Sequence, residues 1–220
     1  MFTWTCKSFR FWQVFPILFL LSACAELGAG LPFFGAPVNR ASVAGGNVVI
    51  AGPPGYCVDR SALSTTPKGD FVLLASCASI SGNPAAPAPG IPAILTASVA
   101  TQPVANIDRS LDRLTAFFKS DKGRAALARD GRASSVEVLS TRVEGGALVM
   151  KVRDTGFDKV VGLEPEYWRA LFDLEGRIVT LSVITFSDKP MSDDEAMQTI
   201  MNFMDRVHRA NPTAAGPVES

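Results

Sequence analysis

Two strand–turn–strand patterns in the second half of the chain most constrain its fold. The paired β-prone runs are residues 134–143 with 147–153, and residues 167–174 with 177–187. A Glu-Gly-Gly turn at 144–146 joins the first pair, and a Glu-Gly turn at 175–176 joins the second. Short glycine-containing turns between β-branched runs are typical of β-hairpins. Two successive hairpins therefore predict a mostly antiparallel sheet.

A long helix is predicted at the C-terminal end. Ser192 and Glu195 have the spacing of a capping box, in which each side chain bonds to the backbone N–H at the other's position. The apolar side chains that follow share one face: Met197, Ile200, Met201, Met204 and Val207. His208 and Arg209 lie where positive charge suits a helix end, and Asn211-Pro212 is expected to stop the helix.

The remaining elements complete a fold of the α+β class. Strands are predicted at residues 47–51, 56–59, 71–80 and 93–100, and a polar loop at 60–69. A helical spacing of apolar residues begins near Asn106, and a second short helix is predicted at 121–128. We expect one domain over residues 46–211, with the sheet flanked by helices in an α/β/α sandwich.

This order of elements, over residues 47–210, resembles the PsbP-like fold, in which a meandering sheet ends in a helix lying across it. The resemblance implies a non-enzymatic role, because proteins of that fold are mostly accessory subunits and binding partners.

The N-terminus has the layout of a secretory signal peptide. Lys7 and Arg10 are the only charged residues before Cys24, and the apolar run 11–21 follows them. This run is too short to cross a bilayer, which needs about 20 helical residues.

Leu21-Ser22-Ala23-Cys24 resembles the lipobox of bacterial lipoproteins. The resemblance implies cleavage before Cys24, lipid on its thiol and an envelope location. Ala25, rather than Asp, implies the outer membrane, with the domain facing the periplasm. An ordinary signal peptide cut elsewhere is the alternative. Residues 24–45 are then a flexible tether rich in Gly, Ala and Pro, and residues 212–220 are a disordered tail.

Two cysteines remain for the folded part. Cys57 and Cys77 lie on strand-like segments, and an exported protein is found where disulfides persist. We predict one structural disulfide between them, with a redox pair or a metal site as the alternatives.

Composition and motifs give no sign of chemistry. Basic and acidic residues balance, 21 against 21, so no nucleic-acid partner is expected. His208 is the single imidazole and no nucleophile motif accompanies it. Glu164, Glu166 and Asp173 are candidate acids for a glycosidase, but Glu166 and Asp173 have opposite parity on one strand. We expect no enzyme activity, no cofactor and no metal.

The best candidate contact patch is formed by Tyr167, Trp168, Arg169 and Phe172, because aromatic residues and Arg anchor many interfaces. The alternative is that Trp168 belongs to the core. We expect a non-catalytic accessory or protein-binding module, tethered to a membrane by lipid and contacting another envelope protein. A periplasmic carrier of a small hydrophobic ligand is the alternative, followed by an unrecognised hydrolase.

Overall fold

The computed structural model describes residues 37–103, 110–157 and 161–212. The predicted signal peptide, the lipobox with Cys24, residues 25–36, the start of the helical pattern at Asn106 and residues 213–220 lie outside them. Ten strands and four α-helices lie within the described ranges. In chain order they are β1 Arg40–Val43, β2 Val48–Ala51, β3 Tyr56–Val58, β4 Ser64–Thr66, β5 Gly69–Ser76, α1 Cys77–Ser81, β6 Ala93–Pro103, α2 Leu111–Lys119, α3 Asp121–Leu127, β7 Val136–Glu144, β8 Ala147–Asp154, β9 Leu163–Leu174, β10 Arg177–Phe186 and α4 Asp193–Ala210.

Both predicted hairpins are confirmed. Gly145 and Gly146 both have positive φ between β7 and β8, with Glu144 opposite Ala147. Glu175 and Gly176 do the same between β9 and β10. Two successive left-handed residues are the requirement of the tightest hairpin turn, whose twist matches that of the strands.

The main sheet has eight strands, and every pairing in it is antiparallel, so the predicted α+β class is confirmed. Its order is β3-β5-β6-β10-β9-β8-β7, with β4 pairing with β5 beside β3. β1 and β2 form a separate hairpin.

Helix α4 packs on one face of the main sheet, over β9 and β10, together with the β1–β2 hairpin. Helices α2 and α3 pack on the opposite face, mainly against β7 and β8. The sheet thus has two cores. The first contains Phe172, Leu181, Ile200 and Phe203. The finer resemblance to the PsbP-like fold stays a prediction.

Helix α4 begins as the sequence predicted. Ser192 Oγ accepts a hydrogen bond from the N–H of Glu195, while the Glu195 carboxylate accepts one from the N–H of Ser192. After the last turn, the Asn211 side chain accepts from the N–H of Val49 and donates to the carbonyls of Val49 and Val207, each at 2.7 Å. Asn211 therefore ends the helix and also fastens β2 to it.

Three local predictions were wrong. The sequence predicts a tether over residues 24–45, but β1 lies inside that range, so the folded part begins earlier than predicted. The segment predicted as a polar loop contains β4. The strand predicted at 71–80 ends at Ser76, and Cys77 begins α1 rather than lying on a strand.

Candidate functional site

The predicted contact patch is not one surface. Tyr167, Trp168 and Phe172 are only 4%, 5% and 1% exposed. Tyr167 belongs to the core beneath α2 and α3, while Trp168 and Phe172 belong to the core beneath α4. Consecutive residues of β9 point to opposite faces, and both faces are covered there. The core alternative for Trp168 is therefore the one that the structure shows.

Arg169 is the one half-buried member of the predicted patch. Its guanidinium carbon lies 4.9 Å from the centre of the Tyr167 ring, and Nε donates to the Ser182 hydroxyl at 3.1 Å. Its role in the structure is to pack on Tyr167 and to link β9 to β10.

His208 lies in the last turn of α4, as predicted, with its ring 4.8 Å from that of Phe172. This contact is a packing role. The disulfide between Cys57 and Cys77 is present, and it joins β3 to the start of α1.

Of the candidate acids, Glu166 and Asp173 separate as their parity predicts, whereas Glu164 and Glu166 line one cavity. Glu166 faces the side of α4, whereas Asp173 accepts a hydrogen bond from Gly176 N–H in the hairpin turn, at 3.0 Å. Glu166 belongs to a chain of ion pairs. Lys151 contacts Glu166 at 2.8 Å and Asp193 at 2.7 Å, and Arg153 contacts Glu166 at 2.6 Å and Glu137 at 2.9 Å.

This chain of ion pairs favours the charged forms of Glu166 and Lys151. Hydrogen bonds from Lys151 and then Arg153 lower the pKa of Glu166. Burial opposes the charge on Lys151, but hydrogen bonds to Asp193 and Glu166 outweigh it and raise the pKa of Lys151. A glycosidase acid needs the opposite shift, a carboxyl pKa raised toward neutrality. Glu166 is therefore better suited to holding a cation than to donating a proton.

A small polar cavity lies beside this chain of ion pairs, where the ends of β8, β9 and β10 meet the first turn of α4. Its volume is about 80 Å³. The polar side chains that line it are Lys151, Glu164, Glu166, Thr185 and Asp193, and its apolar wall includes Trp168, Met191 and Ala196. We call it the polar cavity. The sequence analysis did not identify Lys151 and Thr185 as cavity residues. The one local signal for a polar site here is that Lys151 lies inside the apolar run LVMKV.

On the opposite side of the sheet, β5, β6 and β10 extend beyond α2 and α3. The side chains that they present there form what we call the open face: Phe71, Leu73, Ile94, Thr96, Ser98, Ile178 and Thr180. Ser98 is exposed and the others are half-buried. Strand register sets Thr96 opposite Ser182 and Ser98 opposite Thr180, so hydroxyls lie in the middle of an apolar surround. A shallow groove of about 340 Å³ crosses one end of this face.

Apart from the polar cavity at its first turn, the space between α4 and the sheet, where a carrier of a hydrophobic ligand would need its cavity, is packed. Leu95, Leu181, Ile200 and Phe203 meet there and all are fully buried. The described ranges contain no cluster of three or more His, Cys, Asp or Glu side chains that would suit a metal ion.

Searches against protein-family models, curated proteins and solved structures find no match for this chain. Among its described helices, none has the length and apolar character needed to span a membrane.

Proposed function

We propose that this chain is a lipid-anchored lipoprotein of the bacterial cell envelope, on the outer membrane and facing the periplasm. Its folded domain acts as a non-catalytic module that binds another envelope protein. The anchoring half of the proposal rests on the sequence, since Leu21-Ser22-Ala23-Cys24 follows a basic head and a short apolar run. Lipid at Cys24, with a second acylation, makes membrane attachment durable.

The observation that supports the binding half is the open face. Four of its seven defining side chains are apolar, three have hydroxyls, and none of the seven is charged. Interface centres are depleted in charge in the same way. Contiguous exposed apolar area marks interaction sites on protein surfaces. Within the described ranges, α2 and α3 pack mainly on β7 and β8, and only Ile94 and Ile178 of this face pack against the core beneath them.

The β7 edge of the sheet is a poorer binding site than the open face. The edge strand β7 has Glu137, Arg142 and Glu144, and its register shifts between Val138 and Ser140. Charged side chains and bulges on an edge strand oppose pairing with a further strand. A partner is therefore expected to pack on side chains of the open face instead of adding a strand at β7.

Site-specific photo-crosslinking in the native host tests both halves. We expect a crosslinker at Ser98 to capture one discrete envelope protein, while the same group at Arg206, exposed on α4, captures none. Replacing Thr180 by Glu should reduce the Ser98 crosslink, because a charge would be buried in the contact.

The Cys24→Ala form should lose its lipid mass and leave the membrane fraction. Equal crosslinks from Ser98 and Arg206, with normal membrane fractionation, would refute the binding half alone. An unlipidated wild-type protein would refute the anchoring half.

A further inference from the structure

The polar cavity contains two polar groups that the fold itself does not use. Thr185 is 8% exposed, yet its hydroxyl makes no hydrogen bond within the described part of the chain. Glu164 lines the same cavity, and its carboxylate has no ion-pair or hydrogen-bond partner among the described residues. The Thr185 hydroxyl and the Glu164 carboxylate thus keep their hydrogen-bonding capacity for water or for a group bound in the cavity.

The charges that line the polar cavity favour a cation. Three carboxylates, those of Glu164, Glu166 and Asp193, line it with a single ammonium, that of Lys151. Lys151 is shared between Glu166 and Asp193, and Arg153 approaches Glu166 while also pairing with Glu137. In the capping box of α4, the Ser192 hydroxyl accepts from the N–H of Glu195 and the Glu195 carboxylate accepts from the N–H of Ser192. Glu164 is thus the carboxylate left for a further positive charge.

The size of the cavity limits the ligand. About 80 Å³ holds a few waters, each with a share of about 30 Å³, and it lies well below the roughly 300 Å³ where drug-sized ligand sites begin. Sugars and nucleotides are therefore too large. A divalent ion needs several oxygen ligands, and it is disfavoured because Lys151 already pairs with Glu166 and Asp193, which leaves Glu164 as the one unpaired carboxylate among the described residues of the cavity.

We propose that the polar cavity binds a primary ammonium group. In this arrangement Glu164 supplies the countercharge and the Thr185 hydroxyl accepts a hydrogen bond from the ammonium. Trp168 and Met191 contact the methylene groups attached to it. The source is either a free alkylamine or a lysine side chain of a partner. The site lies on the opposite side of the sheet from the open face, so it is independent of the proposed function.

Trp168 offers a direct readout, because the other two tryptophans, Trp4 and Trp12, precede Cys24. The full chain carrying Trp4→Phe and Trp12→Phe, in detergent, has Trp168 as its single tryptophan. We expect n-butylammonium chloride to change its emission saturably. Tetramethylammonium chloride has the same charge but no N–H donor, and at equal concentration it should produce no saturable change.

Variants then assign the contacts. Glu164→Gln should weaken n-butylammonium binding by about tenfold or more, since it removes the charged partner. Glu175→Gln, on an exposed turn, should leave the affinity unchanged. Thr185→Val should weaken binding by a few fold while a thermal melt shows that the variant folds.

The two sources are separated by comparing 1,5-diaminopentane with Nα-acetyl-lysinamide in the same titration. Tighter binding of the diamine indicates a free amine, and tighter binding of the lysine derivative indicates a partner's side chain. The proposal is overturned if no amine gives a saturable change in Trp168 emission. It is equally overturned if Glu164→Gln binds n-butylammonium as tightly as the parent chain.

Discussion

Backbone conformation at single residues decides how the tight turns form. Glu175 has φ of 52°, in the left-handed region that costs an L-residue with a Cβ about 1–2 kcal/mol. Its turn neighbour, Gly176, pays no such penalty. Asn tolerates this conformation better than Glu. We therefore expect Glu175→Asn to raise the free energy of unfolding in urea by about 0.5–1 kcal/mol.

The matched control is Gly145, which has φ of 59° in the other hairpin, and where a Cβ would lie 3.0 Å from Cε of Met204. Gly145→Ala should lower the free energy of unfolding by about 1 kcal/mol or more, through strain at positive φ. Unchanged stability in both variants would mean that turn conformation contributes little here.

Asp70 stabilises the turn of the β1–β2 hairpin through its buried carboxylate. Asp70 is 8% exposed and accepts a hydrogen bond from the N–H of Ala44 in the turn of the β1–β2 hairpin. Asp70→Ala leaves that donor without its partner, so we expect unfolding to become easier by about 1–3 kcal/mol. Asp70→Asn keeps an acceptor oxygen and should cost less. Equal losses in the two variants would contradict a role for the hydrogen bond.

At the scale of elements, Asn211 joins two segments that are far apart in sequence. Its side chain makes three hydrogen bonds to Val49 and Val207. Asn211→Ala should lower the free energy of unfolding by about 1–3 kcal/mol. Hydrogen exchange gives the sharper test, because exchange at the Val49 N–H should accelerate more than exchange in β9. Equal acceleration of exchange in β2 and β9 would show a general loss of stability and not the loss of the local hydrogen bonds between Asn211 and Val49.

The ion pairs between β8, β9 and α4 predict a pH dependence. The folded-state pKa of Glu166 lies below its ordinary value of 4.5. The contribution of ionised Glu166 to the stability of the fold is therefore fully present above pH 4.5. It is lost as the pH falls through the lowered pKa that Glu166 has in the folded state. Urea unfolding should show a shallower loss of stability below pH 4.5 in Glu166→Gln than in the parent chain. The exposed Glu175→Gln should retain the parent slope, and a parallel slope in Glu166→Gln would refute the linkage.

At the scale of the whole molecule, the sequence predicted what is encoded locally. The hairpins depend on glycine turns, and α4 depends on its own cap, so both were found. β1 was missed because its pairing with β2 is local but its sequence, RASV, has a weak strand pattern in which only Val43 is buried. The turn after it is held by the distant Asp70, which the local sequence does not reveal. The patch on β9 was misplaced because helices cover both faces of that strand, which removes the alternation that separates core from surface. Thr185 and Lys151 meet in the polar cavity only through the register of three strands.

The disulfide acts on the whole chain because it restricts the unfolded state. Cys57 and Cys77 are 20 residues apart, and the bond closes a loop containing β4 and β5. On the chain-entropy model such a loop contributes roughly 3 kcal/mol. We expect the Cys57→Ala/Cys77→Ala form to unfold in urea at a free energy lower by about that amount. Reduced wild type should match the double variant, because both lack the same constraint. If reduction lowers the free energy of unfolding far more than the double substitution does, the free thiols themselves disrupt the buried junction of β3 and α1. Loop closure would then be the smaller of the two effects.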